Sequence, residues 1–167
     1  IFKVISLFHF LPDKGVFFLI MLGFTYLTIL AFYRLLCVYF ENNNFIYFAA
    51  LFIIYPMVWN FFAINTIFFF VDNAIVFFMT LCLYLVVTKN TRLLFLAFFL
   101  GTVNHYSIGF IILVYLLYNY RRLFEKETIL CTAALTGILI GYFSLMRILL
   151  PELPVIKDDG FVVWDPA

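Results

Sequence analysis

Long apolar runs separated by short clusters of charge dominate the chain. Val16 to Tyr33, Phe45 to Val71 and Thr128 to Met146 carry no ionisable side chain apart from tyrosines and Cys131. Runs of about 20 apolar residues match the length a helix needs to cross ~30 Å of hydrocarbon. They are apolar on every side, whereas a membrane β-strand would alternate apolar and polar residues over about 10 positions. The pattern predicts an all-α, polytopic bundle of six membrane helices, one pair of them a short hairpin. Residues 1–167 read as a single transmembrane domain, with 149–167 opening an external loop. The start at Ile1 and the end at Asp165-Pro166-Ala167 read as those of a fragment.

The first span is expected from Gly15 to Tyr33, after the turn Leu11-Pro12-Asp13-Lys14-Gly15, with a polar connection from Arg34 to Asn44. The second covers Phe45 to Phe62, kinked at Pro56. A third begins at Asp72-Asn73, a pair suited to capping a helix N-terminus, and ends at Val87 before Lys89-Asn90-Thr91-Arg92. The last runs from Thr128 to Leu149.

Leu93 to Tyr120 allows two readings. As one tilted span it puts His105 near mid-bilayer. As two short helices it puts the polar quartet Asn104-His105-Tyr106-Ser107 at one face and both flanking loops at the other. Lys89 and Arg92 precede the stretch; Arg121, Arg122 and Lys126 follow it. Cytoplasmic loops carry the excess of Lys and Arg, which favours the hairpin. Arg34 then shares the cytoplasmic side, and Asp13, Asp72, Glu152, Asp158, Asp159 and Asp165 face outward with the quartet. The cost is two helices of roughly 17–21 Å at about 1.5 Å per residue, which need sheltering protein or a thinned bilayer.

Composition narrows the function. The apolar fraction is 67% against 11% charged, and the net charge is +1. No basic stripe with interleaved aromatics suggests nucleic acid. Many of the 11 tyrosines lie near run ends (Tyr33, Tyr39, Tyr47, Tyr55, Tyr118, Tyr120), as in an interfacial belt. Cys37, Cys82 and Cys131 are widely spaced in apolar sequence and read as small buried hydrophobes. No P-loop, dinucleotide fingerprint, HExxH or GxSxG is present, and no zinc-like spacing of ligands.

Five residues stand out as substrate-binding candidates: Asp72, Asn104, His105, Tyr106 and Arg147. Asp72 is an acid at the edge of hydrocarbon, either an interfacial cap or a carboxylate at the mouth of an external cavity. The quartet is the densest group of donors and acceptors in the apolar region. It reads as a plain polar turn or as a cradle for a sugar or phosphate. Arg147 can snorkel to head groups or bind a phosphate. Arg121-Arg122 reads as a topology anchor, and Asp158-Asp159-Gly160 as a hydrated acidic turn.

The segment Asp72-Asn73-Ala74-Ile75-Val76-Phe77-Phe78-Met79-Thr80-Leu81-Cys82-Leu83-Tyr84 resembles the D-x-x-x-x-F-F-x-T-L-x-L-Y stretch of polytopic GT-C glycosyltransferases. Those are the protein O-mannosyltransferase and aminoarabinose-transferase-like enzymes. The basic turn at Lys89–Arg92, the helix with Gly101 and the break Asn104-His105-Tyr106 extend the likeness over Phe45 to Arg122. The resemblance implies a membrane enzyme that moves a sugar from a polyprenyl-phosphate donor to a glycan, lipid or protein acceptor at the external face. Its partners would be the lipid bilayer and the lipid-linked donor, without nucleic acid. Its place would be the bacterial inner membrane, multi-pass. A divalent metal is a possible cofactor in such enzymes. The family's catalytic carboxylate would precede Ile1, since the Pro-Asp-Lys setting of Asp13 does not match it. The order of spans and His105-Tyr106-Ser107, sixteen residues after Lys89, also resemble EpsG-type and Wzy-type polysaccharide polymerases. Those carry an Arg-Gln pair where this chain reads Phe68-Phe69-Phe70-Val71-Asp72-Asn73. A transporter-like, non-catalytic subunit is the reading from outside enzymology, and a continuous helix through His105 would favour it.

Overall fold

The computed structural model describes residues 13–50, 52, 68–149, 157–158 and 161–162. Pro56, the far half of the second expected span, Glu152, Asp159 and Asp165 lie outside the described residues. Six α-helices are present among the described residues: α1 (Asp13–Tyr39), α2 (43–50), α3 (Phe68–Val87), α4 (Thr91–Asn104), α5 (Phe110–Tyr118) and α6 (Lys126–Leu149). A 3₁₀ turn, Tyr106–Gly109, links α4 to α5, and another, Tyr120–Arg122, follows α5. A two-residue antiparallel pair, Lys157–Asp158 with Phe161–Val162, is the one sheet element described.

Two boundaries depart from the sequence reading. The first helix continues past Tyr33 and Arg34 to Tyr39. Leu35, Leu36, Cys37 and Val38 offer nothing to stop a helix, and one exposed arginine does not break it. The chain turns only at Phe40–Asn42, where the Asn42 carboxamide oxygen accepts from the backbone N–H groups of Asn44 and Phe45 at 3.0 and 3.3 Å. The third helix is already formed at Phe68, so Asp72 and Asn73 lie inside it and do not cap it. The aromatic run Phe68–Phe70 continues the apolar pattern upstream, and no breaker separates it from Asp72.

The end of α3 falls at Val87, as the sequence implies. Asn90 N–H bonds Leu85 C=O at 3.0 Å and Lys89 N–H bonds Val86 C=O at 3.2 Å. This is the reverse-turn closure in which the residue after the helix adopts a left-handed conformation. Here that residue is Lys89, at φ 55°. Asn90 then caps α4 by accepting from Leu93 N–H at 3.3 Å.

The stretch from Leu93 to Tyr120 is two short helices, not one. His105 is extended, at φ −161° and ψ 140°, and ends α4. The chain comes back on itself: the Tyr118 hydroxyl, at the end of α5, donates to Val87 C=O at 3.4 Å, beside the start of α4. Helix α6 then runs alongside α4 in the same direction, and its Tyr142 hydroxyl donates to Val103 C=O at 3.3 Å. The bundle therefore has a basic end, holding Lys89, Thr91, Tyr118 and Arg122, and a break end, holding Val103–Tyr106 and Tyr142.

The core is built where α3, α4, α5 and α6 meet, around Cys82, Leu94, Phe98, Ile108, Ile111 and Leu135. Helix α1 packs on α3, with Phe24 against Phe77 and Phe78 at ring separations of 5.8 and 6.2 Å. Cys82 and Cys131 are buried as expected, whereas Cys37 is exposed. Polarity is distributed as in a bundle with apolar surroundings. Thr25, Thr28, Thr80, Thr102 and Thr128 are buried, while Leu130, Phe110 and Ile148 are exposed, Ile148 by 74%. The hydroxyls of Thr25, Thr28 and Thr102 satisfy themselves on carbonyls four residues back, at 2.7–2.9 Å. Leu19–Tyr39 and Lys126–Leu149 are long and apolar enough to cross a membrane; the apolar stretches Asn73–Val87, Thr91–Asn104 and Tyr106–Tyr118 are shorter.

Gly101 is the tightest point of the hairpin. A Cβ placed there would stand 3.0 Å from both Phe78 Cβ and Ile108 Cγ1. Phe78 Cβ sits directly on its backbone and cannot swing away. Gly101→Ala is expected to destabilise the bundle by about 1–3 kcal/mol through overpacking. Gly109, whose added Cβ would meet only the flexible tip of Leu139 at 3.1 Å, is expected to tolerate Ala. Thermal unfolding of the two variants in detergent checks the contrast.

Candidate functional site

The break is built by His105 itself. Its N–H still bonds Gly101 C=O at 2.8 Å, closing α4. Its imidazole Nδ1 then accepts from Ser107 N–H at 3.1 Å and starts the 3₁₀ turn. Nδ1 is therefore an acceptor, and Nε2, which has no partner among the described residues, is the nitrogen placed to donate. The imidazole stacks on the Tyr106 ring at 4.2 Å between centroids and 28° between planes. Tyr106 is 64% exposed.

Two carboxamides at this end lack partners. The Nδ2 groups of Asn73 and Asn104 are both buried, and neither has a hydrogen-bond partner among the described residues. A buried amide donor left unpaired costs about 1–3 kcal/mol, so such groups ordinarily find an acceptor. Their heights agree. Phe78 faces Gly101. At about 1.5 Å per residue, Asn73 stands some 7.5 Å above that level on α3, and Asn104 and His105 some 4.5–6 Å above it on α4. No hydrogen bond joins them. The shared level is what the fold supplies.

The other sequence candidates are placed less closely. Arg147 is exposed in the last turn of α6, five residues beyond Tyr142, at the outer edge of the break end. No ion pair or hydrogen bond ties it to the His105 turn among the described residues. Asp72 is one residue from Asn73 on α3, which fixes its level; its side chain is not among those described. No group of three or more His, Cys, Asp or Glu side chains able to hold a metal occurs among the described residues.

Asn73 was not singled out by sequence, since Asp72-Asn73 looks like a capping pair. The signal was there in the uncapped aromatic run before it. A second feature was also missed. A cavity of about 600 Å³ opens at the basic end, opposite the break, between the end of α3, the start of α4, the end of α5 and the start of α6. Lys89, Arg122, Glu125 and Glu127 rim it, and Leu94 and Cys131 lie among its apolar walls. Arg122, read as a topology anchor, is thus also part of a cavity. The hairpin hinted at this, because it brings two charged loops together.

The sequence matches no known family model and no curated protein, and no solved structure matches the chain.

If the two carboxamides are unpaired in the free protein, apolar replacement should not harm the fold. Asn73→Leu and Asn104→Leu are each expected to leave stability unchanged or raise it, by up to about 2 kcal/mol. Unfolding in detergent measures this. A loss of similar size in either variant would mean that its amide already has a partner.

Proposed function

We propose that the chain is part of a multi-pass glycosyltransferase of GT-C type, set in the bacterial inner membrane, with its sugar-transfer site at the break end. The observation that carries this reading is a set of donors at one level of the bundle: Asn73 Nδ2 and Asn104 Nδ2, buried and without a partner among the described residues, and the turn that exposes Tyr106 and leaves His105 Nε2 without one. Such donors suit the oxygens of a sugar or a phosphate and do not suit a cation. The exposed aliphatic and aromatic side chains of α4, α5 and α6 support a bilayer setting. The clustering of Lys89 and Arg122 at the far end supports a non-cytoplasmic position for the break. The doubling back at His105 favours this reading over a transporter with a histidine at mid-span.

In the proposed reaction an acceptor hydroxyl oxygen attacks the anomeric carbon of the lipid-linked sugar. The bond from that carbon to the carrier phosphate breaks, and the phosphate leaves with the electron pair. The hydroxyl proton passes to a carboxylate acting as base. His105 Nε2–H and the Asn104 amide would hold phosphate oxygens as their charge grows. Asp72, one residue from Asn73, would orient the acceptor or the sugar.

The test uses the intact protein in membranes, with glycan transfer as the readout. Asp72→Asn and His105→Ala are expected to lower turnover by about 10²–10³-fold without changing membrane insertion. His105→Ala also removes the acceptor for Ser107 N–H, so His105→Asn is the sharper variant. Its side-chain oxygen can replace Nδ1 as the cap, as Asn42 does for Asn44 N–H at 3.0 Å. Lost transfer in His105→Asn with an unchanged melting temperature assigns the imidazole to chemistry. Normal turnover in both Asp72→Asn and His105→Asn would remove the site.

A further inference from the structure

We propose that the cavity at the basic end is a binding site for a zwitterionic phospholipid with a primary ammonium head group, of the phosphoethanolamine class. The site is separate from the sugar-transfer site at the break, and the inference rests on the bilayer setting of the bundle alone. Three observations carry it.

The first is the charge balance of the rim. Arg122 and Glu125 face each other at 3.7 Å. That leaves Lys89 and Glu127, both lining the cavity, without an ion pair among the described residues. One open cation and one open carboxylate suit a ligand carrying both signs. A purely anionic head group would meet Lys89 but also Glu127. A phosphate on Lys89 with a primary ammonium on Glu127 satisfies both, the N–H groups of the ammonium donating to the carboxylate as a quaternary ammonium cannot, and the Thr91, Asn119 and Thr128 side chains offer further hydrogen-bonding groups around them.

The second is the backbone of Lys89. It sits at φ 55°, in the left-handed position that closes α3, where glycine fits at least cost. A lysine in that position sets its ammonium group at the cavity at a backbone cost that glycine would avoid.

The third is the wall. Leu85, Leu94, Phe95, Leu130 and Ala134 form an apolar side below the charged rim. Leu130, which is 69% exposed, opens it to the outer surface of α6. A head group in the rim would therefore have a path for its chains along the bundle. A volume of about 600 Å³ exceeds what the head group alone needs and leaves room for the glycerol and first methylenes.

The test is lipid retention by the full chain, purified in detergent, stripped of lipid and followed by native mass spectrometry. Phosphatidylethanolamine, phosphatidylglycerol and phosphatidylcholine of matched chain length are the probes, with free phosphoethanolamine as competitor. The ethanolamine lipid is expected to be retained about tenfold more strongly than either of the others. Lys89→Gln and Glu127→Gln are each expected to erase that preference. Lys89→Gly should erase it too while raising the melting temperature, so that misfolding cannot account for the loss. Equal retention of the three lipids, or an unchanged preference in the variants, would overturn the proposal. Displacement by free phosphoethanolamine at the lipid's own concentration would overturn the lipid assignment. Recovery of the chain in the aqueous fraction of broken cells would instead count against the bilayer setting, and is scored separately.

Discussion

The structure depends on how backbone hydrogen bonds are kept where a helix stops among apolar side chains. Each end of an α-helix leaves four backbone groups unpaired, and hydrocarbon offers them nothing. The hairpin of α4 and α5 stops once between apolar segments, at His105, and once at a charged turn, Lys89–Arg92. At His105 the answer is local. The backbone N–H stays on Gly101, and the imidazole takes the next free donor from Ser107. At the other end, Asn90 and the left-handed Lys89 close α3 and start α4 within three residues. Gly101 lets the returning turn lie against α3, since Phe78 and Ile108 occupy the space a side chain would need.

That solution also divides the molecule chemically. The break end gathers mainly neutral donors: two buried carboxamides, an imidazole and an exposed tyrosine, with Arg147 exposed at its edge. The basic end gathers full charges of both signs around a cavity. In a bilayer the first suits a ligand whose charge grows during a reaction, where preplaced dipoles help most. The second suits a ligand whose charges are fixed. The apolar outer surface between the two ends suits lipid contact.

Much of this was legible in the sequence, for physical reasons that can be named. The helical class follows from runs without period-two alternation. The hairpin follows from basic residues on both flanks of one apolar stretch, with Asn104–Ser107 between them; its two short arms are those the charges require. The ends at Val87 and Leu149 lie where sequence puts them because Lys89-Asn90 and Leu150-Pro151 are local signals. The starts were less legible. Asp72-Asn73 has the chemistry of a cap, but a cap is chosen by where the helix begins, and the aromatics before it carry the helix upstream. Arg34 looked like the end of a span, yet a lone exposed cation interrupts no backbone bond. Of the candidate site, His105 and its neighbours were readable as a polar island. The burial of Asn73 and the cavity at Lys89 and Arg122 arise from packing between distant segments, of which the local sequence carries only hints: the aromatic run before Asn73 and the two charged loops that the hairpin brings together.

Sidedness is the central claim: the His105 turn lies at one face, and the loops before and after the hairpin lie together at the other. Labelling of single cysteines at positions 90, 107 and 125, in a background without Cys37, Cys82 and Cys131, tests it in sealed membrane vesicles. A membrane-impermeant thiol reagent is expected to reach Ser107→Cys from one side only, and Asn90→Cys and Glu125→Cys only from the opposite side. Labelling of positions 90 and 125 from opposite sides would mean that one continuous span separates them, and would contradict the account.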